Sequence, residues 1–340
     1  MAVGSEAKAV LPGYIAVGKE TTWGTYASAT TAAEAISCGF RTEIESEKLD
    51  TIGMNRGFSK RVQLNKTVGG ELEGYLHPVE SSLFLANALA GAVVTTAGST
   101  GAYTHSITAG NYDTTTAILG LSFNVKKGAH TWRYNGGRVN SMKISAEVGA
   151  PVKCVYELIF KDSTQVSDDI SGILSVSSFL PMTFANGFFR YAATEAAAAT
   201  TTVEEPIQSF ELTVSNNLVS EEAARELGTN LLTVLPATRR EIGLTISQRF
   251  DTTTAYNRFI QATVGAVELF FRGPDSLSSS FFTEITFRLP KVYQNSNDPV
   301  LEGAAEILQS EISYDCVVDS PNTTTGKDIG ITIRNNVAAY

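Results

Sequence analysis

Read for its alternation of apolar and polar positions, the chain is organised around residues 69–93, GGELEGYLHPVESSLFLANALAGAV. An alternating stretch runs into a short helical one and stops at a glycine. A similar order returns at residues 243–267, GLTISQRFDTTTAYNRFIQATVGAV. There Leu76 falls on Phe250, and Ala88, Gly91, Ala92 and Val93 fall on Ala262, Gly265, Ala266 and Val267. Pro78, after His77, sits where a first helical turn tolerates proline. Asp251 followed by Thr252 reads as an N-cap, and Gly91 and Gly265 stand where a helix ends in the left-handed region. In the first helix, expected over residues 78–90, Val79, Leu83, Ala86 and Ala90 form a core-facing stripe with Leu85 and Leu89 beside it. In the second, Tyr256, Phe259, Ile260 and Thr263 form the inner stripe.

Most of the remainder alternates with period two. Over residues 38–50, Phe40 and Ile44 share one face while Glu43, Glu45 and Glu47 share the other. A loop rich in glycine and basic residues follows, carrying Ile52, Met54, Arg56 and Phe58, and residues 61–76 form the next strand. Two strands joined by a loop with exposed apolar residues predict a long hairpin whose tip is buried by something else. Residues 119–161 read as an antiparallel meander with turns at 126–128, 135–137 and 149–151. The second half repeats the plan: residues 210–214 match 40–44, and residues 220–236 form a polar loop with a hydrophobic end at Leu231, Leu232 and Leu235. Strands are expected at 240–250, 267–272, 281–289, 306–318 and 331–334. The expected fold is therefore mainly β, with two tandem β-sandwich or barrel domains that each carry a short helix. The first covers residues 1–170 with an N-terminal arm, and the second covers 206–340. Residues 171–205 connect them and end in a low-complexity piece at 192–205 that reads as a linker or an exposed loop. The Thr- and Ala-rich run over 21–35 is expected to follow a surface or reach a neighbour.

Composition narrows the function. The chain has 340 residues, 43% of them hydrophobic, which is enough for real cores. Its formal net charge is −9, with 35 acidic residues against 26 basic, and Lys and Arg do not cluster. That argues against gripping nucleic acid by its phosphates, though not against letting it slide past. Three widely spaced cysteines, Cys38, Cys154 and Cys316, fit a reduced compartment and buried packing roles. The first residues lack a secretion-signal pattern, and no window approaches the roughly 20 apolar residues of a membrane helix. A soluble protein made in the cytoplasm, with no membrane insertion, is the expectation.

Catalytic chemistry is not indicated. The three histidines, His77, His105 and His130, stand in no metal-ligand spacing. No nucleophile, phosphate-loop or dinucleotide motif lies in its required strand–turn–helix context. No enzyme activity, metal or cofactor is expected. The carboxylates are more informative. Glu43, Glu45 and Glu47 line one strand face, and Glu71 and Glu73 line a face of the next. Two readings stay open: a solvated sheet face, or the wall of an aqueous channel whose like charges keep a polyanion from sticking.

The opening GYIAVGKETTWGTYASATTAAEAI, followed by a strand, a long loop, a strand and the helix HPVESSLFLANALAG, resembles the major tail tube proteins of long-tailed, siphovirus-like bacteriophages. The stretch from FELTVSNNLVSEEAARELG through VGAV to NNVAAY resembles the same tube domain again. The resemblance implies rings that stack into a hollow tube, with strands joined between domains into a lumenal barrel through which DNA passes without specific binding. Glu43, Glu45, Glu47, Glu71 and Glu73 would face that lumen. Ile52, Met54, Arg56, Phe58, Leu231, Leu232 and Leu235 would lie in loops between subunits or rings. Two tube domains per chain favour trimeric, pseudo-hexameric rings over hexameric ones. The resemblance also implies tape-measure, tail terminator and tip proteins as partners, and a place in the virion after assembly in the host cytoplasm. In the second copy Glu211 stands alone where the first has its glutamate row, so an acidic lumen is less expected there. The rival readings are a tail-tip, adhesin or decoration protein binding a host or capsid surface, a bacterial porin, and a hydrolase.

Overall fold

Alternating side chains commit most of the chain to long antiparallel strands. They are seen in a computed structural model that describes residues 13–29, 31–50, 58, 60–98, 101–112, 117–167, 170, 174, 176–250, 253–278, 281–297, 308–320 and 326–340. The first half contains β1 (Ile15–Glu20), β2 (Thr31–Ala32), β3 (Ser37–Cys38), β4 (Arg41–Leu49) and β5 (Lys60–Tyr75). Helix α1 (Ser81–Leu89) follows, then β6 (Val93–Ala97), β7 (Tyr103–Thr108), β8 (Gly120–Lys127), β9 (His130–Glu147), β10 (Lys153–Phe160) and β11 (Asp162–Val166). The second half contains β12 (Gly187–Ala192), α2 (Glu195–Thr200), β13 (Ser209–Ser215), β14 (Glu241–Arg249) and α3 (Thr254–Ile260). It ends with β15 (Gly265–Ser278), β16 (Phe281–Asn297), β17 (Gln309–Cys316) and β18 (Gly330–Asn335).

One run of strands crosses both halves in the order β4-β5-β10-β9-β13-β14-β17-β16, antiparallel throughout. A second layer pairs β1 with β8, and β8 and β11 with the first part of β9. In the second half β12 pairs with β15, and β15 and β18 pair with the first part of β16. The long strands β9 and β16 thus run through both layers. The pairing order of the first half recurs in the second, down to irregularities. A register shift falls between Glu157 and Leu158 on β10, opposite Val139-Asn140-Ser141. Its counterpart falls opposite Gln294-Asn295-Ser296 on β16. Another shift falls between Leu121 and Phe123 and recurs between Gly265 and Val267. Bulges of this kind fix where a strand bends. Cys38 pairs with Leu72 while Phe210 pairs with Ile246, so the register sets Phe210 on Cys38, two residues from its sequence match at Phe40.

The layers close over one core spanning both halves, from Val17, Phe40, Leu72 and Phe123 to Phe210, Leu244, Phe287 and Ile312. Phe40 meets Phe123, Tyr134 and Phe160 at centroid distances of 5.1, 5.4 and 4.8 Å in edge-on geometry. Edge-on packing suits the ring quadrupole. The halves also share a second seam, where β18 pairs with β7.

Four expectations are corrected. Residues 135–137 do not turn the chain, because β9 runs unbroken from His130 to Glu147. Gly136 takes φ +70°, so the glycine pair bends the strand from one layer into the other. The GKETTWGT motif packs on that bend. Glu20 accepts from the Gly136 N–H and the Ser122 hydroxyl at 2.7 and 2.6 Å, and the Trp23 indole donates to the Gly136 carbonyl at 2.9 Å. Helix α1 is buried at every residue rather than along one stripe, since chain from the second half covers its far side. In α3 only Ala255 is buried; Ile260 is 62% exposed and Thr263 lies beyond the helix end. The run over 21–35, by contrast, follows a surface as one of its two expectations had it: β2 lies against β1 with Ala29, Ala32 and Ala33 buried, while Thr21, Thr22, Thr25, Ser28, Glu34 and Ala35 are exposed. Within 192–205, Thr194 caps α2 by accepting from the Ala197 N–H, and Ala198 is buried. Asp251 and Thr252 lie outside the described residues.

Candidate functional site

The alternation that buries one side of the eight-strand run leaves its other side polar. On β5, Val68, Leu72 and Gly74 are buried while Glu71 is exposed and Glu73 half-buried. Glu71 stands opposite Glu157 on β10, and Glu73 opposite Val155. Glu43 pairs with Thr67, which places it on the same side as Glu71. Continuing across the seam, Ser145 on β9 faces Glu211 on β13, and Glu211 faces Thr245 on β14. Glu241, Glu311 and Asp315 extend the same side on β14 and β17, all exposed. The acid row of the second half is therefore spread over three strands rather than set on its first. Period-two reading of 240–250 and 306–318 carried that signal, but only pairing shows which strands sit side by side.

Few cations offset these acids. Lys143 meets Glu211 at 2.6 Å, and Arg41 meets Glu43 at 2.9 Å. All four side chains are about half exposed or more, so each pair contributes ~0–1 kcal/mol. Glu157 is better held, accepting from the Asn140 side-chain amide at 3.0 Å and the Ser141 hydroxyl at 2.9 Å. A shallow depression on this side is bounded by Lys143, Glu147, Lys153, Glu211 and Glu311.

The strands β4 and β5 continue past the core as a hairpin. Along β4, Glu43, Glu45 and Glu47 are all exposed, and β5 is exposed from Lys60 to Leu64. Its apolar residues are uncovered: Phe58 is 64% exposed, Ile44 46%, Val62 37% and Leu64 36%. Lys48 lies 5.8 Å from the Phe58 ring centroid. Ile52, Met54 and Arg56 lie outside the described residues. Among the described residues, β4 has one partner strand, β5, and its outer edge is open.

The corresponding loop of the second half, residues 216–240, is of nearly equal length and does the opposite. It folds back onto the first half. Leu232 and Leu235, each 1% exposed, pack with Leu218 and Ala224 against Ala90 and Tyr112, and Leu231 is half-buried. The expectation that Leu232 and Leu235 lie in a loop contact between subunits or rings is therefore corrected: an apolar platform on their own chain buries them. Polar contacts hold the loop down. Asn216 donates to the carbonyls of Ala88 and Val139 at 2.8 and 2.9 Å. Arg225 donates to Lys66 O at 3.1 Å, and the Lys66 N–H donates to Asn230 O at 2.9 Å. Arg138 lies over the Tyr112 ring at 4.2 Å and donates to Leu235 O.

The residues that catalysis would use have structural partners. His77 accepts from the N–H groups of Val79 and Glu80 through Nδ1, at 3.1 and 3.2 Å, and so holds the turn that leads into α1. His105 is buried between Thr95 and Asn335, with the Tyr340 ring 4.5 Å away. His130 packs edge-on to Trp132. Burial pushes the Cys154 and Cys316 thiols up to about 12 and raises Cys38, which leaves them poor nucleophiles at neutral pH. Among the described residues no group of three or more His, Cys, Asp or Glu is placed to hold a metal ion. Nor, among the described residues, is any helix long and apolar enough to cross a membrane.

What the chain presents is a polar, acidic sheet side with an open edge and a projecting hairpin. No curated protein matches the sequence. A family model described as phage tail tube protein matches residues 13–333, which takes in the hairpin and both halves of the polar sheet side, and the chain therefore belongs to the phage tail tube protein family.

Proposed function

We propose that this tail tube subunit is two copies of one tube unit, roughly residues 1–170 and 206–340 joined by 171–205, and that three chains close a ring. Rings stack into the hollow tube through which viral DNA is delivered. The observation that carries the reading is the β9–β13 pairing, in which the first strand of the second half lies along the last part of β9 from Ser209↔Glu147 to Ser215↔Ser141. It joins the halves edge to edge as separate subunits would be joined. The ends of the run are β4 and the last part of β16. In another copy β4 plays the part of β13, and β16 plays the part of β9. Repeating the internal register places Glu43 of one copy against Ser296 of the next. Unpaired edges left in solution invite association, and a closed ring removes them. The acidic side, with Glu71, Glu73, Glu211, Glu241 and Glu311, then lines the bore, where like charge keeps DNA from adhering. Tape-measure, terminator and tip proteins would meet the bore and the two ends.

The test is imaging of the purified full-length chain by negative stain, with the ring mass measured. Hollow rods built from rings of three copies support the reading. A monodisperse particle that never polymerises overturns it and favours the rival reading, a tail-tip, adhesin or decoration protein.

A further inference from the structure

The two copies of the unit end their helices alike and cover them differently. Ala90, after α1, and Ala262, after α3, both take left-handed φ values of 56° and 47°. Around Ala90 every residue from Ser81 to Gly91 is buried. The cover comes from residues 216–240: Asn216 reaches Ala88 O, Arg240 reaches Leu89 O at 3.0 Å, and Leu218, Leu232 and Leu235 pack on Ala90. Around Ala262 the five residues 260–264 are all exposed, with Ile260 at 62% and Val264 at 40%. Val264 adjoins Gly265, which pairs with Val292 at the start of the open part of β16. The uncovered helix end thus borders the edge to which the ring reading assigns β4 of another copy. The element that corresponds to the 216–240 cover is the β4–β5 hairpin. It carries Ile44, Val62 and Leu64 unburied, and in the internal register Ile44 takes the place of Asn216.

We propose that the β4–β5 hairpin of one copy covers the 260–264 helix end of the next copy around the same ring. It repeats between chains the contact that residues 216–240 make within one chain. The proposal rests on the ring reading and adds a consequence to it. The 216–240 loop is consumed inside its own chain, so a ring of three presents three hairpins and three helix ends, not six. Contacts between copies therefore alternate around the ring, half of them covalently pre-formed. Apolar residues on both surfaces make the contact worth forming, since removing apolar area from water is favourable.

The test uses the full-length chain with Ile44→Cys and Ile260→Cys together, treated with a short bis-maleimide after rods have formed. Each single-cysteine variant controls for Cys38, Cys154 and Cys316. Covalent species that stop at three chains, absent from both single variants, are the expected result. Rods that give no double-variant product, or a ladder running past three chains as a contact between rings would, overturn the proposal. Ile260→Asp with Val264→Asp provides a second arm. It should leave the melting temperature of the unassembled chain in place and cut rod yield at least tenfold; unchanged rod yield overturns the proposal. Failure of the unmodified chain to form rods would instead sink the ring reading itself.

Discussion

Arg240 meets Asp328 at 3.0 Å where, in the first half of the chain, Lys66 meets Asp162 at 2.5 Å. Both aspartates also accept the N–H of the following residue, Ser163 at 2.7 Å and Ile329 at 2.9 Å. The position is the same in each half, and the chemistry is not. Lys66 adds one bond to the Ser163 carbonyl. Arg240 spreads its guanidinium over Asp328, Asn216, Leu89 O and Gly110 O. A lysine's point charge serves one local pair, whereas arginine's planar fork can bind several acceptors at once.

Removing the Arg240 charge should therefore cost more than removing Lys66. The Arg240 and Asp328 side chains are 12% and 13% exposed, and leaving one member of a buried pair uncompensated costs about 3–5 kcal/mol. Arg240→Met is expected to fall in that range by urea unfolding of the unassembled chain. Lys66→Met, where Asp162 is 28% exposed, should lose clearly less. Equal losses would show that the contacts to the first half add nothing.

How much of this was readable in advance depends on the kind of signal. The mainly β character, the hairpin over 38–76 and the presence of the two helices follow from local alternation, which pleat and helix geometry convert directly into faces. The residues that stop those helices were misplaced: Ala90 and Ala262, not Gly91 and Gly265, take the left-handed φ. The run at 135–137 misled because Asn-Gly-Gly is turn chemistry locally. Its role as a bend is set by Glu20 and Trp23, more than a hundred residues away. The fate of Leu232 and Leu235 was hidden for the same reason. An apolar loop end looks alike whether its platform lies on the same chain or on another, and only the position of Ala90 and Tyr112 decides. Acid residues on β14 and β17 were visible, but not that they share a side with Glu71. That depends on the β9–β13 seam, a pairing between distant segments that no periodicity encodes.

The two apolar loops should separate folding from assembly. Phe58 is 64% exposed, so Phe58→Asp should change the stability of the unassembled chain by no more than ~0.5 kcal/mol while abolishing rods. Leu232 is 1% exposed, and Leu232→Ala should cost about 2–5 kcal/mol. Thermal melts of unassembled protein, read beside rod yield, check both. Normal-length rods from Phe58→Asp would remove the hairpin from assembly.

Mild acid should loosen the C-terminal latch. His105 is buried against Thr95, Asn335 and the Tyr340 ring, and burial lowers its pKa below the ordinary histidine value. The unfolded chain then takes up its proton first as pH falls, at about 6.5. Binding more protons when unfolded means that stability drops with falling pH from there down to the folded-state value. Glu80, raised by burial, acts in the opposite direction, so the measurement is a difference: melting temperature from pH 7.5 to 5 for the natural chain and for His105→Gln. The natural chain should show the steeper fall. Parallel curves would mean that His105 does not titrate against folding in this window.

The acidic sheet side makes a prediction about DNA rather than about the fold. Glu71, Glu241 and Glu311 are exposed on one side of three strands. Changing all three to Lys should leave the chain folded and rod-forming, since solvated positions away from packed contacts shift stability by about 0.5 kcal/mol or less each. The electrostatic change is large by comparison, because each substitution reverses a full charge. On the proposed reading, in which these residues line the bore, the reversed sign would attract phosphates within the roughly 10 Å Debye length of 0.1 M salt. Rods of the triple variant should retain short duplex DNA in low salt and release it as salt rises, with log affinity falling linearly in log salt. Natural rods should retain none at either condition. Indistinguishable retention by the two would place these carboxylates away from the path of the nucleic acid.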